Sequence, residues 1–347
     1  MKAVVYHGPG RRALDDKPKP TIRAATDAVV RMTKTTICGT DLHILKGDVP
    51  SATDGRILGH EGVGVIESVG TSVSSFHVGD QVLISCISSC GKCTNCRKGM
   101  YSHCQNGGGW ILGNLIDGTQ AEYVRVPFAD NSLYPIPAGA DEEAIVMLSD
   151  ILPTGLECGV LNGRVEPGDT VAIVGGGPIG LAALLTAQFY SPAEIVVIDM
   201  DDNRLELART FGATRVFNSG DGKATEKVMA MTGNRGVDVA IEAVGIPESF
   251  DICQAIVTAG GRIANVGVHG RPVTLNLDKL WDRNITLTTR LVDTATTPML
   301  LKTVASGKLK PKQLITHRFT LSEAMKAYDT FGNAMKERAL KVIISNE

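Results

Sequence analysis

The sequence predicts an α/β protein in which a mostly-β segment is joined to a doubly wound parallel sheet. Three observations carry that expectation. Residues 1 to about 150 hold short Val- and Ile-rich runs set between Gly, Pro and Asp. From about residue 165, strand-like runs alternate with helical ones. The first strand of that alternation meets its helix at a glycine cluster, "VGGGPIG".

Taken in order, "EGVGVIESVG" (61–70) and "VGDQVLI" (78–84) read as strands bounded by turn residues. "DTVAIVGGG" (169–177) reads as a buried strand and "PIGLAALLTAQFY" (178–190) as a helix with Pro178 in its first turn. "AEIVVID" is the next strand, and "DNRLELARTFGA" a helix stopped at Gly212. "VDVAIEAVG" and "GGRIANVGV" are further strands, with "IPESFDICQAIVTA" as the helix between them. After that come two helical patterns and a terminal strand in "ALKVIIS".

A chain of 347 residues is long for one domain, so two are expected. Hydrophobic residues make up 43% and charged residues 21%, enough for a sizeable core and against disorder. The net charge of −2 gives no electrostatic reason to bind nucleic acid or an anionic membrane. No apolar run approaches the roughly 18 residues of a membrane helix. "MKAVVYHGPG" has no signal-peptide pattern, so a cytoplasmic location is expected. In that compartment cysteines favour metal ligation over disulfides.

Gly175, Gly177 and Gly180 have G-x-G-x-x-G spacing, follow a strand and open a helix that includes Pro178 and Ile179. An acid, Asp199, ends the next strand. Jointly these describe a Rossmann dinucleotide turn, with the pyrophosphate at a helix N-terminus and the acid on a ribose hydroxyl. Asp199, reinforced by Asp201 and Asp202, would repel a 2′-phosphate, so NAD is expected over NADP. Arg204 is a cofactor-side candidate that works the other way, since a nearby arginine can receive a 2′-phosphate.

"SCGKCTNCRKGMYSHC" places Cys90, Cys93, Cys96 and Cys104 in C-x2-C-x2-C-x7-C spacing. The bacterial iron–sulfur pattern has its last cysteine after three residues and a following proline, and neither occurs here. Four thiolates suit tetrahedral zinc and leave no position open, so this site is expected to be structural. His103 or Cys86 could replace the fourth ligand, though Cys104 completes the run more simply. A second set is scattered: Cys38, Thr40, Asp41 and His43 in "TTICGTDLH", and His60 and Glu61 in "ILGHEGVG".

These motifs, in this order and over essentially the whole chain, resemble the zinc-dependent medium-chain alcohol dehydrogenases. In pattern the chain is most similar to the microbial secondary-alcohol enzymes. The resemblance implies a GroES-like catalytic domain built from residues 1–152 and 294–347, with a zinc lobe at about 86–110. A Rossmann domain at 153–293 is inserted between the two parts. It implies two zincs per subunit. Cys38, His60 and Asp150 would hold the catalytic one, with Glu61 close behind as an exchangeable ligand and Asp41 as a partner that orients ligands. Asp150 stands where many relatives have cysteine, and carboxylate is a sound zinc ligand. Cys158, eight residues on in the run "GLECGV", which reads as an apolar helix, reads as core instead.

By the same resemblance, Thr40 and His43 would carry the alcohol's proton outward while its hydride passes to nicotinamide. Thr154, Val266, Val268 and Lys341 would contact the cofactor, Lys341 as a pyrophosphate partner or else an ordinary edge-strand lysine. Thr40 and Trp110 would line the substrate pocket, with Trp281 a weaker candidate. No Arg or Lys is evident among these pocket candidates to hold a substrate carboxylate, which points to small neutral alcohols, aldehydes or ketones. Polyol and threonine dehydrogenases share the motifs and remain open, as does a nucleotide-binding protein without turnover. The resemblance implies a homotetramer, or a dimer as in other branches.

Overall fold

The computed structural model describes residues 1–346. The chain forms two compact units. One combines Met1–Asp150 with the chain from Asp293 onward, and the other is Ile151–Val292.

The first unit is built on one long, mainly antiparallel sheet. Its strands run Ile315–Thr320, Lys341–Ser345, Ala28–Ile37, Gly62–Val69, Gln81–Ile84 and Leu133–Pro135, with Tyr123–Val126 also pairing along Ala28–Ile37. The returning chain therefore supplies one end of the sheet, with Ile315–Thr320 at the edge and Val342–Ser345 pairing with Lys34–Ile37. The strand Ile315–Thr320 was not evident in the sequence, because "ITHRFT" alternates weakly and sits between two helical patterns. The helix Ala324–Gly332 buries Ala324, Ala327, Tyr328 and Phe331, a 3.6-residue stripe, against Ile37, Ile44, Leu58 and Val342. A second core, including Val30, Met32, Ile66, Val82 and Val124, fills the other part of the sheet.

The cysteine loop is fastened to this unit by Asp293, whose Oδ1 accepts from Ser102 N–H at 2.9 Å and Ser102 Oγ–H at 2.7 Å. An ion cluster ties the two chain segments together elsewhere. Arg318 makes a two-pronged bond to Glu143 (2.8 and 2.9 Å), and Lys312 stands 3.2 Å from the same carboxylate.

The second unit is a six-stranded, wholly parallel sheet. Its spatial order is Arg215–Asn218, Glu194–Asp199, Thr170–Val174, Val237–Glu242, Val257–Asn265 and Thr286–Thr289. Numbered along the chain this is 3-2-1-4-5-6, so the order reverses beside Thr170–Val174, where such sheets bind nucleotides. Two details differ from the sequence reading. "VTA" belongs to the strand beginning at Val257, because the preceding helix ends at Ile256. Gly155–Leu161, read as an ordinary apolar helix, is π-helical, with Cys158 1% exposed within it.

The bond from Arg318, with Lys312 beside it, holds the Glu143 carboxyl at about 2, below its ordinary 4.5. A depressed value means the stabilisation is complete above pH 4.5 and is lost as pH falls toward 2. Denaturant unfolding of wild type and Glu143→Gln should therefore differ at neutral pH and converge through that acid window. A gap that persists unchanged at pH 2 would contradict this.

Candidate metal centres and dinucleotide turn

Cys38, His60 and Asp150 come together although they lie far apart in sequence. Their ligand atoms all fall within 4.8 Å of one another. His60 Nε2 is 3.2 Å from Asp150 Oδ2, and Cys38 Sγ is 3.8 Å from the same oxygen. Each residue is positioned by local structure. Cys38 precedes the helix Gly39–Lys46, and its N–H donates to Asp41 Oδ2 at 2.9 Å. Asp41 is fully buried and also accepts from Gln120 Nε2 at 3.0 Å, while Gln120 Oε1 accepts from Tyr328 at 2.8 Å. A buried chain of hydrogen bonds thus runs from the helix Ala324–Gly332 to the Cys38 backbone.

His60 sits in the turn before Gly62–Val69. Gly59 there has φ +91°, and a Cβ on it would lie 2.6 Å from Gln120 Cγ, so only glycine fits. Asp150 ends the turn that follows the helix Glu142–Val146.

Burial works against a charged His60, yet the bonds to Asp150 and Cys38 raise its proton affinity well above the ordinary 6.5. A metal ion held here would take the neutral imidazole and displace that proton. The donor set of one thiol, one imidazole and one carboxylate matches zinc. Among the described residues no fourth His, Cys, Asp or Glu atom joins the three.

Glu61, expected among the ligands, is not part of this set. Its Oε2 takes bonds from Thr36 and from Lys341 Nζ, the latter at 2.5 Å. Burial pushes the Glu61 carboxyl up, and the Lys341 charge opposes that. Lys341 corrects a second expectation. It lies in an interior strand, is 1% exposed, and directs its ammonium at Glu61 and the Ile37 carbonyl rather than at a pyrophosphate. A charge this deep needs its carboxylate partner, which fixes its direction.

Thr40 Oγ1 is 3.6 Å from Cys38 Sγ, and His43 lies on the same helix with Nδ1 2.9 Å from Asp48. Trp110 meets the His60 ring edge-on, centroids 6.1 Å apart. Trp281 is 76% exposed.

The cysteine loop forms the second group. Cys90, Cys93, Cys96 and Cys104 offer Sγ atoms within 4.8 Å of one another, and all are free thiols. Sγ separations of 3.4 and 3.9 Å bracket the edge of about 3.8 Å that a tetrahedron with zinc–sulfur bonds of about 2.3 Å requires. N–H groups of Cys96 and Gln105 point at Cys93 Sγ and lower its thiol to about 6, while burial and neighbouring thiols push Cys96 to about 12. Cys86, weighed as an alternative ligand here, faces elsewhere: its thiol donates to Asp150 Oδ1.

In the second unit, Gly175 has φ +110°, and a Cβ at Gly180 would lie 1.8 Å from the Gly175 carbonyl oxygen. Both glycines are required by the protein's own packing. Gly177 is not: a Cβ there meets only Arg204 Nη1, at 3.9 Å, so the space its hydrogen leaves open suits an approaching ligand. Pro178 and Ile179 open the helix Pro178–Ala187 behind it. Asp199 ends its strand and accepts from Gly176 N–H at 2.6 Å. Arg204 lies 3.8 Å from both Asp199 and Asp201. Val266 and Val268 follow the strand Val257–Asn265 rather than ending it, and Val268 is 63% exposed. Thr154 closes the short helix Ile151–Thr154 and is half-buried.

Two family models match the chain: "Alcohol dehydrogenase GroES-like domain" at residues 24–138 and "Zinc-binding dehydrogenase" at 178–306. An alcohol dehydrogenase of Cupriavidus necator strain H16 is 38% identical, over 99% of this chain and 98% of its own. The apo structure of a zinc-dependent alcohol dehydrogenase 2 from Streptococcus pneumonia superposes with TM-score 0.96 and 59% identity, covering 100% of this chain and 99% of that one. Two less similar matches bear on specificity. A sorbitol dehydrogenase of Bacillus subtilis strain 168 is 30% identical, covering 99% and 97% of the two chains. A Sinorhizobium meliloti 1021 structure bound to NADP is 27% identical with TM-score 0.88, covering 99% and 98%.

Cys93→Ser should remove one zinc per chain and lower the melting temperature, as read by elemental analysis and thermal unfolding. Unchanged zinc content would remove Cys93 from the ligand set.

Proposed function

The chain belongs to the zinc-dependent medium-chain alcohol dehydrogenase family, and we propose that it reversibly oxidises small neutral primary or secondary alcohols to aldehydes or ketones with NAD. The observation that supports this most is the contrast between the two metal-binding groups. Four thiols close one of them, while Cys38, His60 and Asp150 leave the other with a position for substrate. When bound, zinc supplies the Lewis acidity that eases loss of the alcohol proton, and the nicotinamide supplies the hydride chemistry.

The protein's own groups do the rest. The Thr40 hydroxyl, beside Cys38, can accept a proton and donate its own in one step. His43 lies one helical turn further on, with Nδ1 turned to Asp48. That bond favours the tautomer with Nδ1 protonated and leaves Nε2 to take the proton toward solvent. Trp110 narrows the pocket beside His60 and gives it an apolar wall, which favours small neutral substrates. The turn Gly175–Gly180, opened by Gly177 at the start of Pro178–Ala187, would hold the pyrophosphate, and Thr154, Val266 and Val268 are assigned to the nicotinamide side.

Asp199 would accept from a ribose hydroxyl, and Arg204 lies beside acids that offset its charge, which supports NAD. The sorbitol dehydrogenase relative favours a second reading, polyol oxidation at the same site. We assign the protein to the cytoplasm and to a homotetramer, with a dimer as the alternative.

The test is a panel of a secondary alcohol, a primary alcohol, a polyol and threonine, each with NAD and with NADP. Highest kcat/KM with a small alcohol and NAD is expected. A preference for the polyol selects the second reading, and a preference for NADP overturns the cofactor assignment. Nucleotide binding with no turnover of any alcohol overturns the enzyme reading. Thr40→Val should keep its zinc and lose on the order of 10²-fold in kcat, whereas an unchanged kcat removes Thr40 from the proton path.

A further inference from the structure

Cys86 is a cysteine outside both metal-binding groups, 3% exposed and positioned just past the strand Gln81–Ile84. That strand pairs with Gly62–Val69, and its last register pair is Gly62 with Ile84. Two residues beyond this pair stand His60 on one side and Cys86 on the other, so the sheet carries Cys86 to the edge of the metal pocket. There it makes two bonds to consecutive residues. Its N–H donates to the Ser149 carbonyl at 3.1 Å, and its thiol donates to Asp150 Oδ1 at 3.7 Å. Ser149 in turn binds Gly62 through its hydroxyl, accepting from the N–H at 3.0 Å and donating to the carbonyl at 3.3 Å. The Ser149–Asp150 segment is therefore fixed between the two strands that also set His60.

The two oxygens of Asp150 are divided by this arrangement. Oδ2 faces His60 Nε2 and Cys38 Sγ, and Oδ1 faces Cys86. We propose that Cys86 is a positioning residue for the catalytic metal: its thiol ties down Asp150 Oδ1 so that the carboxylate presents Oδ2 alone as a ligand. This rests on the reading of Cys38, His60 and Asp150 as the metal site. Carboxylate ligands bind through one oxygen or two, and two would occupy the position a substrate needs. A thiol is a weak donor, so it restrains the second oxygen only lightly and leaves Oδ2 to bind. Groups that orient ligands in this way typically change metal affinity by about 10- to 100-fold when removed.

A buried cysteine can also act purely as a small apolar filler, and the substitutions that separate the two roles are opposite. Cys86→Ser keeps a donor and loses volume; Cys86→Val keeps the volume and loses the donor. The experiment loads wild type, Cys86→Ser and Cys86→Val with zinc and follows loss of the exchangeable metal to a chelator. It then replaces that metal by cobalt(II) and records the visible spectrum of each protein. Positioning predicts that Cys86→Val releases metal about tenfold faster or more and shifts the cobalt bands, while Cys86→Ser stays near wild type. The opposite order, or equal rates and spectra in all three, overturns it. If Cys86→Val does not fold, Cys86→Ala provides the donor-free arm. A wild-type protein that holds metal only at the cysteine loop would instead refute the underlying site, and the two failures are distinguished by its zinc content.

Discussion

Everything around the candidate catalytic site answers one constraint, an excess of negative charge held out of water. Asp41, Glu61 and Asp150 are buried within one region, at 0%, 1% and 9% exposure, beside the Cys38 thiol. Among the described residues Lys341 is the buried cation that faces them, and it is committed to Glu61. An unpaired buried charge costs on the order of several kcal/mol. The raised proton affinity of His60 is one sign of the deficit. A metal ion held by Cys38, His60 and Asp150 would remove it without titrating.

The chain path follows from the same constraint. The pieces that balance the site come from the far end of the sequence: Lys341 reaches Glu61 across 280 residues, and Tyr328 reaches Gln120 across 208. An inserted parallel-sheet unit separates these segments in sequence, and the sheet pairing of Val342–Ser345 with Lys34–Ile37 brings them back together. The ion cluster of Glu143, Lys312 and Arg318 and the bond of Ser102 to Asp293 reinforce the same closure. The cysteine loop sits on the second of these bonds, consistent with a stabilising rather than a chemical task.

What could be read in the sequence was whatever is local. The glycine turn, the strand ending at Asp199 and the four-cysteine loop each lie within one short segment, and the spacing of their residues states their geometry. Cys38, His60 and Asp150 became legible only through resemblance, because no spacing rule joins residues that the sheet brings together. Lys341 was misread for that reason: a lysine near a chain end looks like an exposed residue until its strand is seen to be interior. Cys86, four residues before Cys90, looks in sequence like part of the cysteine loop, while its thiol bonds Asp150. The strand Ile315–Thr320 escaped because half-buried residues on a short parallel strand leave little alternation.

The most direct test is anomalous scattering at the zinc absorption edge from crystals of the zinc-loaded protein. The account predicts two peaks per chain, one within the cysteine loop and one bounded by Cys38 Sγ, His60 Nε2 and Asp150 Oδ2 at about 2.0–2.3 Å. A single peak at the cysteine loop, or a second peak held by other side chains, would contradict it.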